Sequence, residues 1–118
     1  MALVLCTGVD PVLLKTRQLI LENAGHTVVP ASNEREIEAV CGEKKFDVAV
    51  IGQNTPPKTK ARVLGLLREH CPAARILELY PPYASRTLKD ADAWLEMPTD
   101  RPEELAEAVN SLASKKKN

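Results

Sequence analysis

The sequence predicts a doubly wound α/β fold: a five-stranded parallel sheet in the order 2-1-3-4-5, with helices on both faces. Three observations predict it. Short apolar runs alternate with amphipathic stretches along the whole chain. The runs ALVLC (2–6) and FDVAVI (46–51) are apolar or nearly so on both faces, as strands inside a sheet are. Helix start and stop signals lie between the runs, so the strands are joined through helices and must run parallel. Right-handed crossovers leave few topologies for five such units, and this order is the favoured one.

Each element has its own signals. ALVLC is the first strand. Asp10 and Pro11 then supply an N-cap and a first-turn proline. Leu14, Leu21 and Ala24 give that helix an inner stripe, and Gly25 closes it. HTVVP (26–30) is the second strand, ended by Pro30. Asn33 and Glu36 form a capping box for a second helix. Its inner face is Ile37, Val40 and Cys41, with Gly42 just past its end. FDVAVI is the third and central strand. A third helix follows Pro56 and Pro57, carries Val63, Leu66 and Leu67, and stops before Pro72. RILELY (75–80) and AWLEM (93–97) are the fourth and fifth strands. The final helix opens near Thr99 or Asp100, with Leu105, Ala108, Val109 and Leu112 at i, i+3, i+4 and i+7. Ligands bind such sheets outside the carboxyl ends of the strands. The loops that matter are therefore 7–10, 52–60, 80–83 and 97–99.

Composition narrows the class of function. The 118 residues make one domain, 1–118, and 44% apolar with 27% charged residues is ordinary for a globular chain. Sixteen basic and sixteen acidic residues cancel, so no global field draws the protein to nucleic acid or to an anionic membrane. The basic tail at 115–118, with Lys115, Lys116 and Lys117, reads as a solvated end. No apolar run is long enough to cross a bilayer, and the N-terminus is too short and uncharged for a signal segment. Cys6, Cys41 and Cys71 are odd in number and form no Cys-x-x-Cys pair. They are expected to be free thiols in a reducing cytoplasm. Neither His26 nor His70 has a second ligand at metal spacing.

Four segments in order, DPVLLKTRQLILENAGHTVVPASNEREIEAV, FDVAVIGQNTPP, PAARILELY and AWLEMP, together resemble the receiver domain of two-component response regulators (the CheY-like superfamily) over nearly the whole chain. DPVLLKTRQLILENAGHTVVPASNEREIEAV is similar to the receiver pattern of an acidic residue and proline, a leucine-spaced helix, Leu-Glu-x-x-Gly-x-x-Val, then Ala. FDVAVIGQNTPP resembles the strand that ends in the phosphoacceptor aspartate and a Met-Pro. PAARILELY resembles the strand ending in a hydroxyl residue, and AWLEMP the strand ending in Lys-Pro. The resemblance implies the flavodoxin-like order already given, with a fourth helix shortened because the segment between Tyr80 and Met97 is brief.

The chemistry departs from that pattern. The resemblance places Gly52 at the phosphoacceptor position, Gly8 and Val9 at the acidic pair, Tyr80 at the hydroxyl position and Met97 at the lysine. Trp94 fills the switch-aromatic position and Lys60 the place of a glycine. Phosphoryl transfer to a carboxylate needs an oxygen nucleophile, and Mg²⁺ needs several oxygen ligands. Gly52 has no side chain, and Asp10 is the one acid left nearby, occupied as a cap. No phosphorylation, no catalytic residue and no cofactor, Mg²⁺ included, is expected.

Two further readings stay open at this level. Trp94, with Glu96, is a candidate interaction surface, or the indole packs on a neighbouring helix. Lys58 and Lys60 are candidate anion contacts, or solvated loop lysines. Glu78 is a carboxylate inside the fourth strand, partly buried, or on a face near the sheet edge and paired by Arg75 or another base. The expected function is a phosphorylation-independent pseudo-receiver that binds a signalling protein or itself through its fourth helix, fifth strand and fifth helix. A small-ligand or anion sensor using the strand-end crevice is the alternative. An enzyme using Cys6, Tyr80 or Asp10 has the weakest support, since no nucleophile–base pairing is written in the chain.

Overall fold

In the computed structural model, which describes residues 2–84 and 87–114, five strands form one parallel sheet. They are β1 (Leu3–Thr7), β2 (Thr27–Ala31), β3 (Val48–Ile51), β4 (Arg75–Tyr80) and β5 (Ala93–Glu96). Their order is β2-β1-β3-β4-β5, as the sequence predicts. Four helices accompany them among the described residues: α1 (Pro11–Asn23), α2 (Glu34–Glu43), α3 (Pro57–His70) and α4 (Glu103–Ser114).

The period-two alternation of the central strands builds two cores. Val4 and Cys6 of β1, Val48 and Val50 of β3, and Leu77 and Leu79 of β4 face one side. They meet Leu14 and Leu21 of α1 and Leu105, Val109 and Leu112 of α4. Leu5, Ala49, Ile51 and Ile76 face the other side, against Ile37 of α2 and Val63 and Leu67 of α3. The residues of β3 are all fully buried, which accounts for its nearly unbroken apolar run. The outer strand β2 carries Pro30, whose missing N–H blunts that edge.

The local signals act as their chemistry requires. Asp10 Oδ1 accepts from the N–H groups of Val12 (2.9 Å) and Leu13 (3.3 Å), with Pro11 opening α1. Gly25 takes φ +95°, the left-handed conformation that ends a helix without a Cβ clash. Asn33 Oδ1 accepts from Glu36 N–H, but Glu36 reaches back to the N–H and hydroxyl of Ser32, one residue before the cap. Asp47 lies at the amino end of the sheet, where its carboxylate accepts from Leu3 N–H at 2.8 Å. His26 is buried there too, accepting from Ala2 N–H through Nδ1 and lying 2.6 Å from Asn110 Oδ1 through Nε2.

Several expectations are corrected. No helix lies in the connection between β4 and β5 among the described residues, where a shortened fourth helix is expected; turns at 82–83 and 89–90 stand there. Leu88 and Ala91 of that connection bury themselves over the α2–α3 face instead. Ala24 is exposed rather than inward, and Gly42 lies within α2 rather than beyond it. Cys41 and Cys71 are not free thiols. The last turn of α2 and the C-cap of α3 lie side by side, and the two cysteines form a disulfide with Cα atoms 5.5 Å apart. Cys6 alone is free. No helix among the described residues is long and apolar enough to cross a membrane. The basic tail falls outside the described residues.

Candidate functional site

The strand order reverses between β1 and β3, and in sheets of this kind ligands bind outside the carboxyl ends of the strands at such a switch point. Gly8 follows β1 there, and Gly52 follows β3. Their backbone N–H groups are engaged: Gly8 donates to Ala31 O at 3.3 Å and Gly52 to Thr7 O at 3.0 Å.

Between these glycines stands a residue that reasoning from the sequence passed over. Arg17 lies on the inward stripe of α1, three residues after Leu14 and four before Leu21, and is only 3% exposed. A Cβ placed on Gly52 would lie 2.9 Å from Arg17 Nη1 and 3.1 Å from Thr7 O; one on Gly8 would lie 3.5 Å from the same nitrogen. Gly52 is thus a gap filled by a guanidinium. Nε and Nη2 of Arg17 are enclosed without a hydrogen-bond partner. Burial pulls the Arg17 pKa below its ordinary value, and the Cys6 and Asp10 side chains act against that shift. Burial in turn pushes the Cys6 thiol up to about 12, with Arg17 opposing, so the thiol stays neutral. The signal that could have revealed Arg17 is its spacing: a charge at the i+3 position of an inward leucine stripe.

Val9 is exposed, and Tyr80 is half-buried with its carbonyl accepting from Met97 N–H at 2.8 Å. Met97 packs against the α1–α4 core, and its peptide to Pro98 is cis. Lys58 is exposed on the first turn of α3. Trp94 is half-buried against the α2–α3 core, its indole N–H donating to Leu88 O at 2.8 Å, while Glu96 is exposed on the outer strand.

Lys60 is committed elsewhere, so it is not an available anion contact. Its Nζ donates to Glu78 Oε2 at 2.7 Å and to Leu79 O at 2.8 Å, with both side chains almost fully buried. Glu78 also accepts from Thr87 N–H and Oγ1 and from Leu88 N–H. Burial raises the Glu78 pKa, and the bonds from Lys60, Thr87 and Leu88 together outweigh it, leaving the carboxyl below its usual range. The pair joins α3, β4 and the helix-free connection. It sits under the sheet's second face, where Glu78 is buried and the base that pairs it is Lys60.

This geometry does not suit a divalent cation. Mg²⁺ is held by carboxylate and water oxygens, whereas Gly8, Val9 and Gly52 supply none and a guanidinium projects among them. Among the described residues no group of three His, Cys, Asp or Glu side chains is placed to hold a metal.

The topology defines a class: the fold is that of CheY-like receiver domains. The chain is similar to the chemotaxis response regulator CheY4 of Vibrio cholerae, with 26% identity over 95% of this chain and 98% of that one, TM-score 0.77. It is similar also to a Burkholderia pseudomallei response regulator whose structure holds a phosphorylated aspartic acid, a calcium ion and citrate. That pair shares 27% identity over 97% of this chain and 69% of that one, TM-score 0.78. The receiver domain of the hybrid histidine kinase CckA shares the fold at 18% identity, TM-score 0.76, over 95% and 99% of the two chains. No protein-family model matches the chain, and no curated protein does.

Proposed function

We propose that this domain is a phosphorylation-independent pseudo-receiver of a two-component (phosphorelay) signalling system, working by binding another signalling protein or a second copy of itself. It is not an enzyme on this reading. One observation carries it: Arg17 Nη1 lies 2.9 Å from where a side chain at position 52 would begin. The position that a receiver gives to its nucleophile holds a cation from the protein's own first helix. Phosphoryl chemistry is then replaced by a fixed arrangement, and regulation comes through binding. The working surface is the outer strand β5 with Glu96, the adjoining connection with exposed Tyr83, and the neighbouring face of α4.

Two experiments test the reading. Incubation with a small phosphodonor and Mg²⁺ should leave the intact mass unchanged, and a phosphoryl group found on an aspartate would overturn it. Partner capture with the native domain and with Glu96→Lys tests the surface. Loss of a specific partner in the variant supports it, and an identical partner set moves the interaction elsewhere.

A further inference from the structure

We infer that the crevice between the carboxyl ends of β1 and β3 binds a small oxyanion, a phosphate monoester or a carboxylate, with Arg17 as its charge. This goes beyond the pseudo-receiver reading and does not depend on it. The argument starts from an imbalance. Arg17 is 3% exposed, and its Nε and Nη2 are enclosed with no acceptor. A buried cation without a partner is among the least favourable arrangements a folded chain can hold, and buried charges are otherwise paired or ligated. The neighbours leave it unpaired. Asp10, whose charge favours it, is engaged in capping α1 and makes no ion pair with it. The thiol of Cys6 is held neutral.

The place is as telling as the charge. The guanidinium rises where the strand order reverses, at the carboxyl ends of the sheet, where ligands of doubly wound folds bind. Gly8 and Gly52 put no side chain against Nη1, where a Cβ would lie 3.5 and 2.9 Å from it. Their own N–H groups are already bonded to Ala31 O and Thr7 O, so a ligand's charge is met by Arg17 and not by a backbone nest. Arginine presents several N–H donors in a planar fork suited to phosphate and carboxylate oxygens. A crevice of this fold built from acids would collect a metal cation. With an arginine it collects an anion.

The test is thermal unfolding of the whole chain in inorganic phosphate and, separately, in acetate, each against chloride at matched ionic strength. At a concentration tenfold above Kd, the bound anion should raise the midpoint by about 5 °C. A response to phosphate alone or to acetate alone supports the site and assigns its ligand chemistry. Arg17→Met keeps the stem and removes the charge, so it should fold and lose the response. Amide resonances of Gly8 and Gly52 should shift on titration in the native protein. Should Arg17→Met fail to fold, Gly52→Ala places a methyl against Nη1 and should abolish the response in the same assay. A midpoint that follows chloride overturns the inference, as does an equal response in the tested variant or shifts that map away from Gly8 and Gly52.

Discussion

Reduction of the Cys41–Cys71 bond should destabilise this domain strongly, and the size of the effect follows from the chain. The bond closes a loop of sequence separation 30 between the ends of α2 and α3. In the chain-entropy description such a closure removes about 12 cal/mol/K from the unfolded ensemble, or about 3.6 kcal/mol at 25 °C. For 118 residues the entropy of unfolding near the midpoint is roughly 250 cal/mol/K, so the midpoint should fall by about 14 °C on reduction. The assay is circular dichroism during heating, with and without a thiol reductant, beside a thiol count of the denatured protein. One reactive thiol before reduction and three after it are expected. Cys41→Ala/Cys71→Ala should reproduce the reduced midpoint and ignore the reductant. Three reactive thiols in the untreated protein, or equal midpoints in both conditions, would refute the reasoning.

The buried Lys60–Glu78 pair gives a second expectation. Lys60→Met leaves a carboxylate enclosed without its cation and should cost about 3–5 kcal/mol in urea unfolding. Lys60→Met/Glu78→Leu should recover much of that loss, and a double variant as unstable as the single one would count against the pair. Because the folded Glu78 pKa lies below its unfolded value, its stabilisation is full above the unfolded carboxylate range and fades as pH falls through the folded pKa. Glu78→Gln should therefore flatten the acid limb of the stability profile, and an unchanged limb would contradict the assignment. Asp10→Ala should cost about 1 kcal/mol through the lost cap of α1, measured by the same urea midpoints. Arg17→Met should be at least as stable as the native protein in anion-free buffer, since it removes an unpaired buried charge; a loss of several kcal/mol would mean that the charge has a partner.

Much of this architecture was legible because it rests on local chemistry. Asp10 with Pro11 and the left-handed Gly25 each declare themselves within a few residues. The apolar strands carry their burial in composition, and the order of the sheet follows from handedness. That Gly8, Val9, Gly52, Tyr80 and Met97 carry no carboxylate or ammonium was legible too, since a missing functional group needs no coordinates. What escaped depends on distant parts of the chain meeting. Cys41 and Cys71 pair only because α2 and α3 pack side by side. Lys60 meets Glu78 only because α3 crosses the face of β4. The helix expected after β4 is absent among the described residues for a similar reason. Glu78, buried beneath it, bonds the backbone of Thr87 and Leu88, and Leu88 in turn receives the indole of Trp94. Arg17 is the instructive miss, since a charged residue is read as surface unless its place on the leucine stripe is weighed.

Arg17 also decides what an acidic residue placed at the ends of β1 and β3 would meet. An aspartate introduced at position 52 would not arrive in an empty pocket. Its Cβ would meet Nη1 at 2.9 Å, and its carboxylate would be captured as the guanidinium's counter-ion. An acidic residue introduced at position 8 would meet the same nitrogen. Acids added one at a time therefore build a salt bridge first and a free nucleophile only later. The order of substitution matters: the arginine has to leave before an acid can stand free. A single side chain from the first helix works as a ratchet on these positions.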